Sequence, residues 1–387
     1  KGSNDAPIIS VEEVDTATLI LNETNSTLNS NGTLSITDFD TSNTVSVEKV
    51  NVVTSGTTTG LISTNDELFA MLSINSENVI DNSNTTGTIN WAFNSGSEYF
   101  NYLASGETLT LTYTIKASDD DSSNAFDTQT VVITITGTND TPNITVEAGN
   151  SDSSQLSETD ATLSTSGTLS VKDLDRTDVI TTSHIVSSVQ KDANGNVMGT
   201  DSLEPLNLAL KNMLSITQTP INGTAQSGTI SWAFNSGSEA FNYLATGETL
   251  TLTYTIKAID DDSSNAFDTQ DVVITITGTN DTPTVLLENI DEKTPFGKEY
   301  VKETAYLFSD LDRTDIFTFE ASNLPLGLSI NPNTGEITGR AVEPGIFIIT
   351  LKATDSGTPA LNVSRTFSLL VIAPAQNDSG QTTQAKS

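Results

Sequence analysis

Oxygen donors able to grip a hard cation recur along this chain at fixed places, and they come in a few kinds. The first is an Asp-x-Asp element: Asp38 with Asp40, Asp173 with Asp175 and Asp178, and Asp310 with Asp312 and Asp315. The second is a run of aspartates, Asp119 to Asp121 and again Asp260 to Asp262, with Asp355 in the matching place further on. The third is an Asn-Asp pair, Asn139/Asp140 and Asn280/Asp281. Glu23 and Glu158 each stand 15 residues before their Asp-x-Asp. Carboxylates crowded near 4 Å repel by about 1 kcal/mol per pair in water and by several times that near a protein surface, so a bound cation makes such crowding tolerable. Six to eight oxygens on flexible loops suit calcium (Ca2+) better than the stricter magnesium, and soft metals find nothing here to prefer. The competing reading is that Asp, Asn, Ser and Gly simply build solvated turns.

Other chemistry is nearly closed off. The 387 residues include no Cys and one His, His184, which removes thiolate sites and leaves any histidine-dependent relay or zinc site to a single residue. His184 reads as a surface strand residue. Sixteen Lys and Arg against 50 Asp and Glu give a formal charge of −34, so nucleic acid is a poor partner. A carboxylate pair could serve glycoside hydrolysis, but these carboxylates recur at every unit boundary where an active site would be unique, and the chain reads as no enzyme. Trp91 and Trp232 fit a core edge better than a carbohydrate-stacking platform, because both lie in the same strand-like setting. Tyr99 is replaced by Ala240 in the copy, which suggests an exposed position.

The elements that must position the carboxylates are strands. Residues 87–140 return at 228–281 with five changes in 54 positions, a shift of 141. The front halves match at a shift of 135, so an indel falls between about 48 and 86, in a surface loop. Alternation in TLTLTYTIKA and TVVITIT, with Leu, Tyr, Ile or Val on one face and mostly Thr on the other, predicts antiparallel strands with one wet face. A third unit follows Asn280, sharing SDLDRTD but not the Trp-containing half; its hairpin signals predict about seven strands. If each chain segment enters at the top of a sandwich, the Asp-x-Asp loop, the Asp run and the incoming linker all lie together there, while Glu23 and Glu158 lie at the bottom, facing the next linker.

With those residues in view, the first two units resemble VCBS repeats through GTLSVKDLD, GTISW, LATGETLTLTYTIKA and VVITITGTND, over most of 23–140 and 158–281. The third resembles the dystroglycan-type cadherin-like and putative Ig-like families through LPLGLSINPNTGEITGR and IITLKATDSG. The resemblance implies calcium at the junctions: Glu23, Asn139, Asp140, Asp173, Asp175 and Asp260 at the first, Glu158, Asn280, Asp281, Asp310, Asp312 and Asp355 at the second. The long runs, which add Asp121 and Asp262, exceed the single loop Asp of cadherins. The third unit has no glutamate 15 residues before Asp310.

The expected fold is therefore all-β, a linear tandem array of three Ig-like or cadherin-like antiparallel sandwiches: 1–140, 141–281 and 282–376, with 377–387 a linker or tail. The resemblance further implies a segment of a large secreted RTX-type bacterial adhesin, exported by a Gram-negative type I route and placed outside the cell at its surface. The expected partners are calcium ions and neighbouring modules, with a glycan, a peptide or another adhesin copy as further candidates. The alternative function is a ligand-binding module centred on the third unit. The sequence KGSNDAP lacks a signal-peptide build, and no apolar run reaches a membrane-spanning length, so no membrane insertion is expected and the chain reads as a soluble piece of something longer.

Overall fold

In the longest alternating segment, Leu109, Leu111, Tyr113, Ile115 and Ala117 are buried while the threonines between them stay at the surface. The computed structural model describes residues 3–75, 78–121, 125–198, 207–262, 264–286 and 290–373. Within them this pattern builds three β-sandwiches in series, each with its own apolar core. The tail expected at 377–387 lies outside the described residues.

The first sandwich contains β1 (Ile8–Ser10), β2 (Thr18–Asn22), β3 (Asn29–Thr37), β4 (Val45–Gly56), α1 (Asn65–Ala70), β5 (Leu72–Ile74), β6 (Thr86–Asn94), β7 (Thr108–Asp119) and β8 (Phe126–Thr136). Its sheets run β1-β3-β6-β5 and β2-β8-β7-β4. The second contains β9 (Asn143–Thr145), β10 (Ser153–Ser157), β11 (Ser164–Lys172), β12 (Val179–Lys191), α2 (Asn207–Asn212), β13 (Leu214–Ile216), β14 (Ile221–Asn222), β15 (Ser227–Asn235), β16 (Thr249–Ile259) and β17 (Phe267–Thr277). Its sheets run β13-β15-β11-β9 and β10-β17-β16-β12-β14.

The third contains β18 (Thr284–Val285), β19 (Glu292–Pro295), β20 (Glu299–Lys302), β21 (Phe308–Ser309), β22 (Thr318–Ser322), β23 (Leu328–Ile330), β24 (Ile337–Arg340), β25 (Gly345–Thr354) and β26 (Asn362–Ile372). A sheet β19-β26-β25-β22 faces the sheet β20-β24-β23, and β18 pairs with β21. Among the described residues nine strands stand where about seven were expected, two of them only two residues long.

The ladders are antiparallel except for one pair in each sandwich: β2 with β8, β10 with β17 and β19 with β26. The cause is a crossover. After β1 the chain leaves the first sheet, and β2 joins the second beside the last strand and in the same direction. Trp91 marks that crossing: it lies opposite Gly32 on β3 and donates its indole N–H to the Thr16 carbonyl at 2.8 Å. Trp232 repeats this against Gly167 and the Ser151 carbonyl at 2.8 Å. Both indoles are buried, so they are core residues and no stacking platform. A Cβ at either glycine would lie 2.4 Å from the indole Cζ2, which is why that position has no side chain.

Two six-residue helices, too short for the sequence to betray by periodicity, fill the variable segments. The first is held at its start by a capping box between Thr64 and Glu67. Near its end Lys49 donates to the carbonyls of Phe69 and Leu72. His184 takes the corresponding place in the second sandwich, 3.0 Å from the Lys211 carbonyl and edge-on to Tyr254. It is a strand residue, but half-buried beneath α2 and not bare surface.

Candidate metal centres at the sandwich junctions

The crossover strand fixes the lower half of each junction. Because β2 runs alongside β8, with Asn22 opposite Thr136, Glu23 emerges beside the outgoing linker. Its carboxylate is buried and accepts from the Thr138 amide at 2.9 Å and from the Thr138 hydroxyl. Glu158 does the same with Thr279, at 2.8 Å from the amide.

The upper half is set by the strands that end there. β11 stops at Lys172, immediately before Asp173, and β16 stops at Ile259, immediately before Asp260. The linker ties the two loops together: the Asp140 amide donates to Asp175 Oδ2 at 2.6 Å, and Asn139 Nδ2 donates to Asp260 Oδ2 at 3.0 Å. At the second junction the Asp281 amide donates to Asp312 Oδ2 at 2.8 Å, and Asn280 Nδ2 to Asp355 Oδ2 at 3.2 Å. At the upstream end of the first sandwich the Asp5 amide reaches Asp40 at 2.6 Å and Asn4 Nδ2 reaches Asp119 at 2.8 Å. Asn43 stands there where Asp178 and Asp315 stand in the other two.

Within each loop the first aspartate turns the chain around the next. The Asp175 amide donates to Asp173 Oδ1 at 3.0 Å, Asp312 to Asp310 at 3.2 Å, and Asp40 to Asp38 at 2.8 Å. The runs do the same, Asp262 onto Asp260 and Asp121 onto Asp119, each at 3.2 Å. The extra central aspartates have a separate job: Asp120 accepts from Thr44 and Asp261 from the Val179 amide at 2.9 Å, pinning the run to the start of the neighbouring strand.

These bonds leave oxygens over. At the first junction Asn101 Oδ1, Asn139 Oδ1, Asp140 Oδ2, Asp173 Oδ2, Asp175 Oδ1 and Asp178 Oδ2 are buried without a hydrogen-bond partner. At the second the set is Glu158 Oε2, Asn242 Oδ1, Asn280 Oδ1, Asp281 Oδ2, Asp310 Oδ2, Asp312 Oδ1 and Asp315 Oδ2. Asp38 Oδ2 is left in the same state upstream. One oxygen from each of Asp173, Asp175 and Asp178 lie within 4.8 Å of one another, as do those of Asp310, Asp315 and Asp355.

A buried acceptor with no donor costs about 1–3 kcal/mol, more when charged, so several in one place call for a positive centre. Protons supply part of it. Burial first, and neighbouring carboxylates second, push Asp175 up to about 8, Asp178 to about 7 and Asp173 to about 6. Asp312 rises to about 7 and Asp281 to about 6, again by burial and then by adjacent carboxylates. A hard divalent cation meets the same need while keeping every carboxylate ionised. The donor set fits calcium: oxygens only, six or seven of them free, on loops able to adjust.

Two kinds of contributor escaped the sequence reading. Asn25 donates to Asp140 Oδ1 at 3.3 Å and accepts from Asn101, while Asn242 donates to Asp160 at 2.6 Å, so each upstream sandwich offers amide oxygens as well as its glutamate. Phe100 and Phe241 precede those asparagines with φ of +64°, a conformation rare for a bulky residue, and both rings are fully buried. The strained backbone turns the next residue toward the junction. The available signal was FNYL, unchanged in both copies. The sandwiches also touch directly: the amides of Arg176 and Arg313 donate to the carbonyls of Tyr102 and Tyr243 at 3.3 and 3.4 Å, and Thr314 donates to Glu248 at 2.7 Å.

Comparison with known proteins bears on the third sandwich most directly. Residues 283–372 match the family model described as "Putative Ig domain". No curated protein matches the chain. Among solved structures, mouse cadherin-23 EC22-24 aligns at 15% identity with a TM-score of 0.42, over 96% of this chain and all of that one. The extracellular cadherin domains 1-5 of protocadherin gamma B2 align at 15% and 0.42, over 97% of this chain and 61% of that one. The protocadherin gammaB4 extracellular domain aligns at 16% and 0.38, and this chain spans about half its length. Overlap at this level is loose, and the tandem β-sandwich fold rests on the sheets and cores themselves.

Proposed function

We propose that the chain is an extender and adhesion segment of a secreted bacterial cell-surface adhesin, in which calcium at each junction fixes one sandwich against the next. Its modules are 1–140, 141–281 and 282–376, the first two of the VCBS-repeat kind and the third cadherin-like. The observation that carries this reading is the set of buried, unpartnered oxygens at each junction, drawn from the sandwich above, the linker and the sandwich below. Glu23, Asn101, Asn139, Asp140, Asp173, Asp175, Asp178 and Asp260 would hold the ion at the first. Glu158, Asn242, Asn280, Asp281, Asp310, Asp312, Asp315 and Asp355 would do so at the second, and Asp38, Asp40 and Asp119 form part of an equivalent upstream. The ion supplies charge neutralisation and a cross-link between rigid bodies.

Such a rod stiffens only where calcium is plentiful, which fits type I export from a Gram-negative cell into a calcium-rich exterior. Its net charge of −34 favours solubility on the way. The role is mechanical, with no substrate turned over. Small-angle scattering and thermal melting in millimolar calcium and then in chelator test it. The expected result is a longer, stiffer particle that melts higher in calcium; an unchanged profile and melting point would reduce the acidic loops to solvated turns.

A further inference from the structure

The two junctions are made from nearly the same parts, yet they close differently. The lower partners, Tyr102 and Glu107 in the first sandwich and Tyr243 and Glu248 in the second, stand in segments that differ at five of 54 positions. The upper partners come from one motif, Arg176-Thr177 and Arg313-Thr314, each inside DLDRTD. At both junctions the arginine amide donates to the tyrosine carbonyl, at 3.3 and 3.4 Å. Among the described residues that is the one hydrogen bond joining the body of the first sandwich directly to the second. The second junction adds to it. The Arg313 guanidinium lies over the Tyr243 ring, 4.9 Å from its centroid. The Thr314 hydroxyl donates to Glu248 Oε1 at 2.7 Å, and the Thr358 amide to the Thr246 hydroxyl at 3.5 Å. The difference starts in segments that the duplication does not share. A Cβ at Gly60 would lie 2.9 Å from Tyr102 Cδ2, and the Tyr102 hydroxyl donates to the Thr57 carbonyl at 2.8 Å. Backbone therefore lies against the first tyrosine ring where a guanidinium lies against the second. Thr246 is Ser105 in the first copy. The loop that reaches Thr246 belongs to the third sandwich alone, held over the linker where Asn280 Nδ2 donates to the Pro359 carbonyl at 2.9 Å.

We propose that the second junction carries a latch that acts without metal, made by Arg313, Thr314 and Thr358 on Tyr243, Glu248 and Thr246, and that the first, lacking it, is the chain's main hinge. A guanidinium over a tyrosine face and a hydroxyl on a carboxylate attract with no ion present. Domains joined by a small contact move relative to one another unless something more holds them, and at the first junction one amide bond is all the direct hold there is among the described residues. Like charges point the same way. The second sandwich brings Asp260, Asp261 and Asp262 to the first junction, whereas the third brings Asp355 alone in that place, so repulsion without a cation is greater at the first. Residues 141–372 then move nearly as one body, and the rod bends chiefly where the first sandwich meets it. That a cation stiffens the hinge rests on the function proposed above; the latch does not.

The chain contains no Cys, so spin labels attach only where one is introduced. Thr128, Thr269 and Ser364 occupy matching exposed places on β8, β17 and β26. Thr128→Cys with Thr269→Cys reads the first junction, and Thr269→Cys with Ser364→Cys the second, as electron-spin distance distributions on the full chain. In chelator the first distribution should be about twice as broad as the second or more. Arg313→Ala and, separately, Thr314→Ala should widen the second toward the first and leave the first unchanged, with a melt of each variant showing that its sandwiches stay folded. Equal widths in chelator, or a second distribution indifferent to both variants, overturn the latch. Calcium added afterwards tests the metal reading separately: a first distribution that stays broad in calcium removes the cation from that junction and leaves the latch standing.

Discussion

Asp175→Asn separates a metal ligand from a buried acceptor, because it should act with opposite sign in the two conditions. Asp175 is fully buried; its Oδ2 holds the Asp140 amide at 2.6 Å, and its Oδ1 has no partner. Asparagine keeps an acceptor for the amide and removes the charge. In chelator the wild type carries a carboxyl whose burial pushes it up to about 8, so at neutral pH it holds a proton that the unfolded chain would release. Once water at the junction is allowed for, relieving that penalty should raise stability by about 1–2 kcal/mol. In calcium the balance reverses. A site half-filled at about 10 µM contributes about 2.7 kcal/mol in about 1 mM calcium. Losing one charge-assisted ligand costs about 1.5–3 kcal/mol, which removes most of that contribution. The second sandwich should then melt roughly 5–10 °C lower than wild type in calcium. Differential scanning calorimetry in both buffers gives the two shifts directly. Shifts of the same sign, or none in calcium, would refute the view that this carboxylate exists to hold a cation.

Four further outcomes follow from the same geometry. Raised carboxyls at 173, 175, 178, 281 and 312 bind protons in the fold that the unfolded chain has released, so in chelator their contribution is full below about pH 4 and is lost as pH rises to about 8. In calcium, which selects the ionised form, the melting point should instead climb over that range, and a pH series of melts in each buffer checks the inversion. Asn101→Ala should weaken calcium binding at the first junction about tenfold while sparing the second, as titration calorimetry resolves, because Asn101 Oδ1 is lost together with the donor that holds Asn25 against Asp140. Gly167→Ala drives a Cβ to 2.4 Å from the Trp232 ring and should destabilise the second sandwich by about 1–3 kcal/mol in calcium and chelator alike, read by urea midpoint. Tyr254→Phe strips the donor from the Leu210 carbonyl, now held at 2.7 Å, and should cost about 1–2 kcal/mol by the same assay.

The fold was legible wherever one residue's role depends only on its neighbours in the strand. Thr108 to Ala117 alternates, so a half-buried strand follows from the period alone, and the duplication carries the inference to 249–258. The acidic loops were legible for the same reason, since β3, β11 and their partners end where the aspartates begin. What escaped depends on groups distant along the chain. The parallel pairing of β2 with β8 arises from a crossover that Trp91 and Gly32 jointly fix, and neither residue alone announces it. Asn101 looks like any loop asparagine until the +64° φ of Phe100 turns it toward Asn25 and the Asp140 side chain it holds. His184 looked like bare surface because the helix that covers it is six residues long and begins after a variable segment.

That asymmetry explains how the junctions are built. Local signals recur at each boundary because every upper half makes the same turn of one aspartate around the next. The lower halves differ: Glu23 with Asn25 at the first junction, Glu158 with Asp160 at the second, and at the lower end of the third sandwich Pro295 and Phe296 beside an apolar face. The first two junctions carry the same downward-facing chemistry, and the third sandwich does not. Whatever adjoins its lower end meets hydrocarbon where the others meet carboxylate, so contact there should persist in chelator while the two junctions above it loosen.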